Sequence, residues 1–376
     1  MRPSIALFLA LSAALPTELI AQTITGSFMH NGILRDHRSY VPAIYSPGTP
    51  VPLVFNLHGY TSNNVQQEFY GDFRPIADTA NFIIVHPNGT LDGNGDRFWN
   101  TFGGSSVDDL GYLTALLDTI SAHYTIDADR VFSTGMSNGG FMSHDLACFR
   151  SDRFAAIASV AGTMILPRMN TCAATHPTPV MQIHGTNDGT VPYAGNAAFV
   201  PVDDLMAHWA VFNNCDPTPV MTPVPDIVTT DGCTAERYVY SGGDAGSEVE
   251  LYKIIGGEHT WPGAIPIGVT NQDIDASVEI WRFFRRYRLS ELQTGISEDL
   301  ARVPFQVGEN PSPDAFQLRF GASADRIITV RDATGRLADE LRTNAREVAV
   351  TVDAPGLYVV TVTEGTKCST QRLVRL

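Results

Sequence analysis

Arg130-Val-Phe-Ser-Thr-Gly135-Met136-Ser137-Asn138-Gly139-Gly140-Phe-Met-Ser-His-Asp-Leu-Ala-Cys-Phe149 is the stretch that decides the fold. A β-branched and aromatic run meets a turn rich in glycine, and residues 138–149 then take helical spacing. A strand that passes into a helix through one residue needs small neighbours for the turn to close. The same alternation extends in both directions. Upstream lie strand-like runs at 51–57 and 82–86, a helix predicted over 66–80, and a helix ending near His123 with Leu110, Leu113, Leu116, Leu117 and Ile120 on one stripe. Two antiparallel strands, 23–30 and 38–45, open the series. Downstream, strands at 155–160, 179–184 and 249–255 lead to a final helix at 274–287. Strands alternating with helices of this length imply an α/β fold, a mostly parallel sheet covered on both faces.

The cadence changes after about residue 295. Short strand-like runs recur between turns, among them Phe316-Gln-Leu-Arg-Phe320, Ile327-Ile-Thr-Val330 and Leu357-Tyr-Val-Val-Thr-Val362. This is the pattern of a small β-sandwich. The division expected is 1–21 signal peptide, 22–292 main domain, 293–304 linker and 305–376 sandwich. In the first segment Arg2 precedes an apolar stretch from Ile5 to Leu15, and Ala21 offers a small residue for cleavage. That stretch falls short of the about twenty residues a membrane-spanning helix requires. The mature protein is therefore expected to be exported, with no membrane span.

Net charge is −15, with no basic run. Nucleic acid and anionic membrane both demand clustered Lys and Arg, so neither is an expected partner. Export makes the five cysteines candidates for disulfides. Cys148–Cys172 and Cys215–Cys233 are the simplest local pairs, other pairings stay open, and Cys368 is left over as a free thiol. No Cys-x-x-Cys spacing exists, so a zinc ribbon or a thioredoxin-like centre is not supported.

Chemistry concentrates at Ser137. Gly-x-Ser-x-Gly between strand and helix is a nucleophile elbow, which lifts the hydroxyl above the sheet edge and aims the Asn138 amide at the same point. A serine needs a base and an orienting carboxylate, in the chain order Ser, Asp, His. His259 lies in the glycine-bounded loop Gly256-Gly-Glu-His-Thr-Trp-Pro-Gly263 after a strand; His144, His176, His184 and His208 read as structural. Asp188 follows a strand in His184-Gly-Thr-Asn-Asp-Gly-Thr-Val-Pro192, with Asp226, Asp231 and Asp244 as rivals. The second oxyanion donor is expected from His58-Gly59-Tyr60-Thr61, at the amide of Tyr60 or Thr61, with His58 as a hydrogen-bonding strut. Trp261 and Trp99 are candidate substrate-pocket residues. Asp92–Asp96 reads as a polar turn and Asp108-Asp109 as helix caps.

His58-Gly59, Val107-Asp-Asp-Leu-Gly-Tyr-Leu113, the elbow and Gly257-Glu-His-Thr-Trp-Pro-Gly263 together resemble the polyhydroxybutyrate depolymerase-like esterases, a group overlapping the feruloyl and acetyl xylan esterases of carbohydrate esterase family one. The resemblance covers about residues 25–290. It implies a secreted α/β-hydrolase without cofactor, with Ser137 as nucleophile, Asp188 as acid, His259 as base, and disulfides Cys148–Cys172 and Cys215–Cys233. Glu258 departs from the pattern, which expects a glycine there. Glu309-Asn-Pro-Ser312, Asp332-Ala-Thr-Gly-Arg336 and Pro355-Gly-Leu-Tyr358 resemble a type IX secretion sorting domain, which implies the secretion machinery as a partner; a polymer-binding module is the rival. The activity these resemblances imply is serine ester hydrolysis on feruloylated or acetylated xylan. Polyester depolymerisation is the alternative, and a non-catalytic adhesin a remote one.

Overall fold

The computed structural model describes residues 21–293, and 303–376 apart from 304, 309, 311, 314, 333–335 and 366. The expected signal peptide lies outside the described residues save for Ala21. So do nearly all of the expected linker and, of the residues on which the sorting-domain resemblance rests, Glu309, Pro311 and 333–335.

Two compact units divide at Gly295. The first is built on strands β1 (Gln22–His30), β2 (Ile33–Val41), β3 (Val51–Leu57), β4 (Ile83–Pro87), the small hairpin β5 (Thr90–Leu91) and β6 (Arg97–Phe98), β7 (Ile126–Met136), β8 (Ala156–Val160), β9 (Val180–Gly185), β10 (Val220–Pro223), β11 (Thr234–Tyr240) and β12 (Val249–Ile255). All but the hairpin form one sheet, in the order β1-β2-β4-β3-β7-β8-β9-β12-β11-β10. Its centre from β4 to β12 is parallel, and both edges are antiparallel. The sequence reading missed β10 and β11, whose polar residues lack the apolar runs of the centre. Strands β3, β4, β8 and β9 are buried at every position, as strands covered on both faces must be.

Helices α1 (Asn64–Tyr70), α2 (Arg74–Ala80), α3 (Asp109–His123), α4 (Asn138–Phe149), α5 (Leu166–Asn170), α6 (Val202–Phe212), α7 (Ala276–Phe284) and α8 (Leu289–Gln293) cover the faces. Side chains alternate between two cores along each strand. Val54 and Phe132 join Phe82, Trp281 and Phe284 on one face, whereas Leu53, Phe55 and Val131 join Trp99, Leu113 and Leu116 on the other. Phe132 stacks on Phe284 at 4.7 Å and Phe82 on Trp281 at 4.0 Å, fixing α7 against the sheet.

Three sequence expectations are corrected here. The single helix over 66–80 is two, because the Gly71 carbonyl turns aside to accept Asn56 Nδ2 at 2.7 Å and Pro75 lies in the first turn of α2. Asp108 does cap α3, its Oδ1 accepting Gly111 N at 2.8 Å, but Asp109 is no cap. It is buried against Arg35 at 2.7 Å and takes the Asn100 amide at 2.8 Å.

The third correction concerns disulfides. Cys148–Cys172 forms, tying α4 to the loop after α5, but Cys215 and Cys233 are free thiols. Cys233 immediately precedes β11, and Cys215 lies at its other end, where Asp216 N donates to Ser241 O. Seven extended residues separate them by roughly 20 Å, against the about 7 Å a disulfide tolerates.

The second unit has two antiparallel sheets. One contains β13 (Phe305–Val307), β14 (Ala315–Phe320) and β17 (Glu347–Thr351); the other contains β15 (Arg326–Asp332), β16 (Leu337–Thr343), β18 (Gly356–Glu364) and β19 (Lys367–Arg375). Phe316, Leu318 and Phe320 from the first share a core with Ile328, Val330, Val360 and Val362 from the second. Asn310 brackets β19, donating to Arg372 O and accepting from Val374 N. Cys368 lies in β19, and its side chain is outside the described residues.

Candidate active site

Four loops converge at the C-terminal edge of the parallel strands, where open α/β sheets hold their ligands. They follow β3 (His58–Thr61), β7 (Ser137), β9 (Thr186–Pro192) and β12 (Gly256–Gly263).

Ser137 stands between β7 and α4 with φ 53° and ψ −121°. A non-glycine residue in that region costs about 1–3 kcal/mol and persists only where surroundings impose it. The surroundings do so by contact. A Cβ on Gly139 would lie 2.2 Å from Leu57 O, one on Gly135 2.6 Å from the Gly139 carbonyl carbon, and one on Gly162 2.6 Å from Ser137 O. The Ser137 amide donates to Val160 O at 2.8 Å, while its hydroxyl makes no capping bond and stays half-exposed.

Asp188 is buried and His259 partly open, and His259 Nδ1 lies 2.7 Å from Asp188 Oδ2. Oδ1 of Asp188 takes the Thr190 and Val191 amides, each at 2.8 Å. Burial alone would raise the carboxyl's pKa, but hydrogen bonds from His184, His259 and the Val191 amide outweigh it and hold the group far below the ordinary range. Ser137 and His259 wall one cavity of about 380 Å³ with Tyr60, Tyr70, Trp261 and Ile267. The N-terminus of α4 opens beside Ser137, and the Asn138 amide, at its first position, has no partner within the helix.

Of the two amides proposed after Gly59, Thr61 is occupied, donating to Arg97 O at 2.9 Å, which leaves Tyr60. His58 is a strut: Gly89 N donates to its Nε2 at 2.9 Å, so Nδ1 carries the proton and donates to Gly59 O at 2.7 Å. Burial lowers its pKa to about 4. Trp99 is fully buried and spends its indole N–H on His58 O, yet it borders a second cavity, of about 510 Å³, that shares Tyr60 with the first. Trp261 packs edge-on to Phe73 and donates to Ser277 Oγ at 3.2 Å. Asp92 is consumed by its own turn and by the Tyr60 hydroxyl at 2.8 Å. Glu258, the departure from the glycine pattern, folds back to accept Val269 N at 3.1 Å and pins the far side of its loop.

Sequence reasoning missed several contacts. The Asn138 side chain clamps Trp99 N at 2.6 Å and Thr101 Oγ1 at 2.9 Å. His184, read as structural, approaches Asp188 Oδ2 to 3.4 Å. Tyr70 walls the cavity from α1, and Ile265 and Ile267 wall it from just beyond the loop that carries His259. Of the rivals, Asp231 accepts the Cys233 and Gln272 amides and Asp244 the Asn214 side chain.

Residues 108–211 match the phospholipase/carboxylesterase family. Feruloyl esterase D of Neurospora crassa is 28% identical over 285 residues, covering 72% of this chain and 88% of its own. Feruloyl esterase C of Emericella nidulans is 29% identical over 243 residues, 60% of this chain and 82% of its own. A bifunctional acetylxylan esterase/xylanase of Neocallimastix patriciarum is 28% identical over 172 residues, and the match spans 46% of this chain but only 24% of that longer protein. Among solved structures, an acetyl xylan esterase from Aspergillus awamori aligns over 70% of this chain and 99% of its own, with 15% identity and a TM-score of 0.49. The chain is an α/β-hydrolase related to fungal feruloyl and acetylxylan esterases, and a carboxylic-ester hydrolase.

Proposed function

We propose that this carboxylic-ester hydrolase releases feruloyl or acetyl groups from plant cell-wall xylan through an acyl-enzyme on Ser137. The observation that carries the mechanism is the 2.7 Å Asp188–His259 bond beside the cavity that Ser137 also lines. His259 takes the proton of Ser137 Oγ as that oxygen adds to the ester carbonyl, and the amides of Tyr60 and Asn138 receive the oxyanion. The carbonyl re-forms, the bond to the alcohol breaks, and His259 returns its proton to the leaving oxygen. Water then repeats the sequence on the acyl-enzyme, releasing the acid and restoring Ser137. Asp188 holds the imidazole tautomer and stabilises the imidazolium that forms twice per cycle.

The substrate class is supported by the names of the relatives and by the cavities. Tyr70, Trp261, Ile265 and Ile267 give the first cavity an aromatic and aliphatic wall suited to a phenolic acyl group, and the second offers room for the other half of a bulky ester. The test assays the full chain, with Ser137→Ala as control, on feruloylated arabinoxylan, acetylated xylan and a polyhydroxybutyrate film. Release of ferulate or acetate from the xylans with an intact film is the expected result. Film erosion without acid release from xylan would replace this reading with polyester depolymerisation.

We also read residues 1–21 as a secretory signal and 305–376 as an export address of the type IX kind, on the motifs quoted above. Removing 305–376 should leave esterase activity in lysates of the native host and abolish its appearance outside the cell. Undiminished export would refute the address.

A further inference from the structure

Behind Asp188 runs a row of buried polar side chains that the ester chemistry above does not use. Trp209 Nε1 lies 3.3 Å from His144 Nδ1, and His144 Nε2 lies 3.3 Å from Gln182 Oε1. Gln182 Nε2 reaches His184 Nδ1 at 2.9 Å and Gly162 O at 2.7 Å. His184 Nε2 reaches Val191 O at 2.8 Å and Asp188 Oδ2 at 3.4 Å. Trp209, His144, Gln182 and His184 are each at most 1% exposed.

The direction of every bond in this row follows from the Trp209 indole N–H, which can only donate, and the Gly162 and Val191 carbonyls, which can only accept. An indole N–H donates, so His144 Nδ1 accepts and its proton sits on Nε2, facing the Gln182 oxygen. The Gln182 amide cannot flip, because its oxygen would then face the Gly162 carbonyl. Its NH₂ therefore points at His184 Nδ1, and His184 carries its proton on Nε2, donating it to Val191 O at 2.8 Å with Asp188 Oδ2 beside it at 3.4 Å. Gly162 itself packs beneath the Ser137 carbonyl, so the row also ties the acid to the turn that carries the nucleophile. The Thr190 and Val191 amides hold Asp188 Oδ1, and Oδ2 lies 2.7 Å from His259 Nδ1 and 3.4 Å from His184 Nε2, so the carboxylate is bracketed on both oxygens.

We propose that His184, held in its Nε2–H tautomer between the Gln182 amide and the Val191 carbonyl, is a positioning residue that fixes Asp188 Oδ2 where His259 Nδ1 meets it. The inference rests on the assignment of Asp188 and His259 to ester hydrolysis. The loss expected on removing it is one of geometry, since small misplacements of a reacting group cost up to about a hundredfold in rate.

The test uses the full chain and p-nitrophenyl acetate, a probe too small to depend on substrate specificity. His184→Leu should lower kcat by about tenfold to a hundredfold with KM changed by no more than about twofold. His184→Gln, whose amide nitrogen can stand where Nε2 stood, should recover most of the loss. Gln182→Met, which removes the donor to His184 Nδ1, should also lower kcat, and ¹⁵N spectra should show His184 as the Nε2–H tautomer in the wild type. A folded His184→Leu with wild-type kcat overturns the proposal, as does a His184→Gln no better than His184→Leu. If His184→Leu does not fold, Gln182→Met and His184→Gln decide by the same criteria. Ser137→Ala in the same assay separates the layers: if it stays active, the assignment beneath the inference has failed, whereas if it is dead and the His184 variants are not, only the inference has.

Discussion

Asp145 should make this protein less stable as pH rises toward neutrality, and Asp145→Asn should remove that loss. Asp145 sits on α4 with 2% of its side chain exposed, and its Oδ2 has no hydrogen-bond partner. The nearest cation, Arg168 Nε at 3.5 Å, is shared with the Thr101 and Asn100 carbonyls. Burial, only partly offset by Arg168, raises the carboxyl's pKa from its ordinary 3.8 to about 7. The folded protein thus holds this proton more tightly than the unfolded chain does. The contribution is fully favourable below pH 3.8 and is lost progressively until pH about 7. Three pH units correspond to a ceiling of about 4 kcal/mol. Asparagine keeps the shape of the protonated acid and cannot ionise. Urea unfolding of both proteins from pH 3.5 to 8 should show near-equal stability at the acid end and a gain for Asp145→Asn of roughly 2–4 kcal/mol at pH 8. A gain independent of pH, or none at pH 8, would refute the reasoning.

Other outcomes follow from the same geometry. Ser137→Ala should lower kcat by about 10⁵-fold or more on any ester substrate, and residual turnover near wild type would remove the nucleophile assignment. Asp188→Asn should cost about 10⁴-fold in kcat; because this carboxyl is held far below its ordinary range, the variant should also lose stability at pH 7, opposite in sign to Asp145→Asn, and paired kinetic and unfolding measurements check both. Gly139→Ala should destabilise by more than about 3 kcal/mol, since its Cβ would meet Leu57 backbone at 2.2 Å, whereas Gly104→Ala, with nothing within 4 Å, should be neutral in the same thermal melt. Replacing Cys148 and Cys172 by serine should cost about 3 kcal/mol from the loop they close, and an unchanged urea midpoint would count against the bond.

The local signals that survive into the structure are short-range. Ser137 is legible because strand, turn and helix are contiguous, and the glycines around it are legible because a turn that tight has few solutions. His259 and Asp188 stand out because each follows an apolar strand within a loop rich in glycine. The break between α1 and α2 is invisible in the helical spacing of 66–80, since it depends on Asn56 reaching across from β3 to take the Gly71 carbonyl. Asp109 looks like a cap until Arg35, 74 residues earlier, is found against it.

By itself, then, the sequence determined the alternation of strands and helices, the elbow, and which loops leave the C-terminal ends of strands, because each depends on residues within one or two turns of one another. Tertiary structure alone decided which cysteines meet, since β11 holds Cys215 and Cys233 at its opposite ends. It also decided that Thr61 spends its amide on Arg97 and Tyr60 does not, and that His184 and Gln182 stand behind Asp188. Those outcomes depend on strand order and side-chain direction in a closed core. One residue's neighbours there come from segments tens to hundreds of positions away, and burial gives a lone hydrogen bond or an unpaired oxygen an energy that no local pattern encodes.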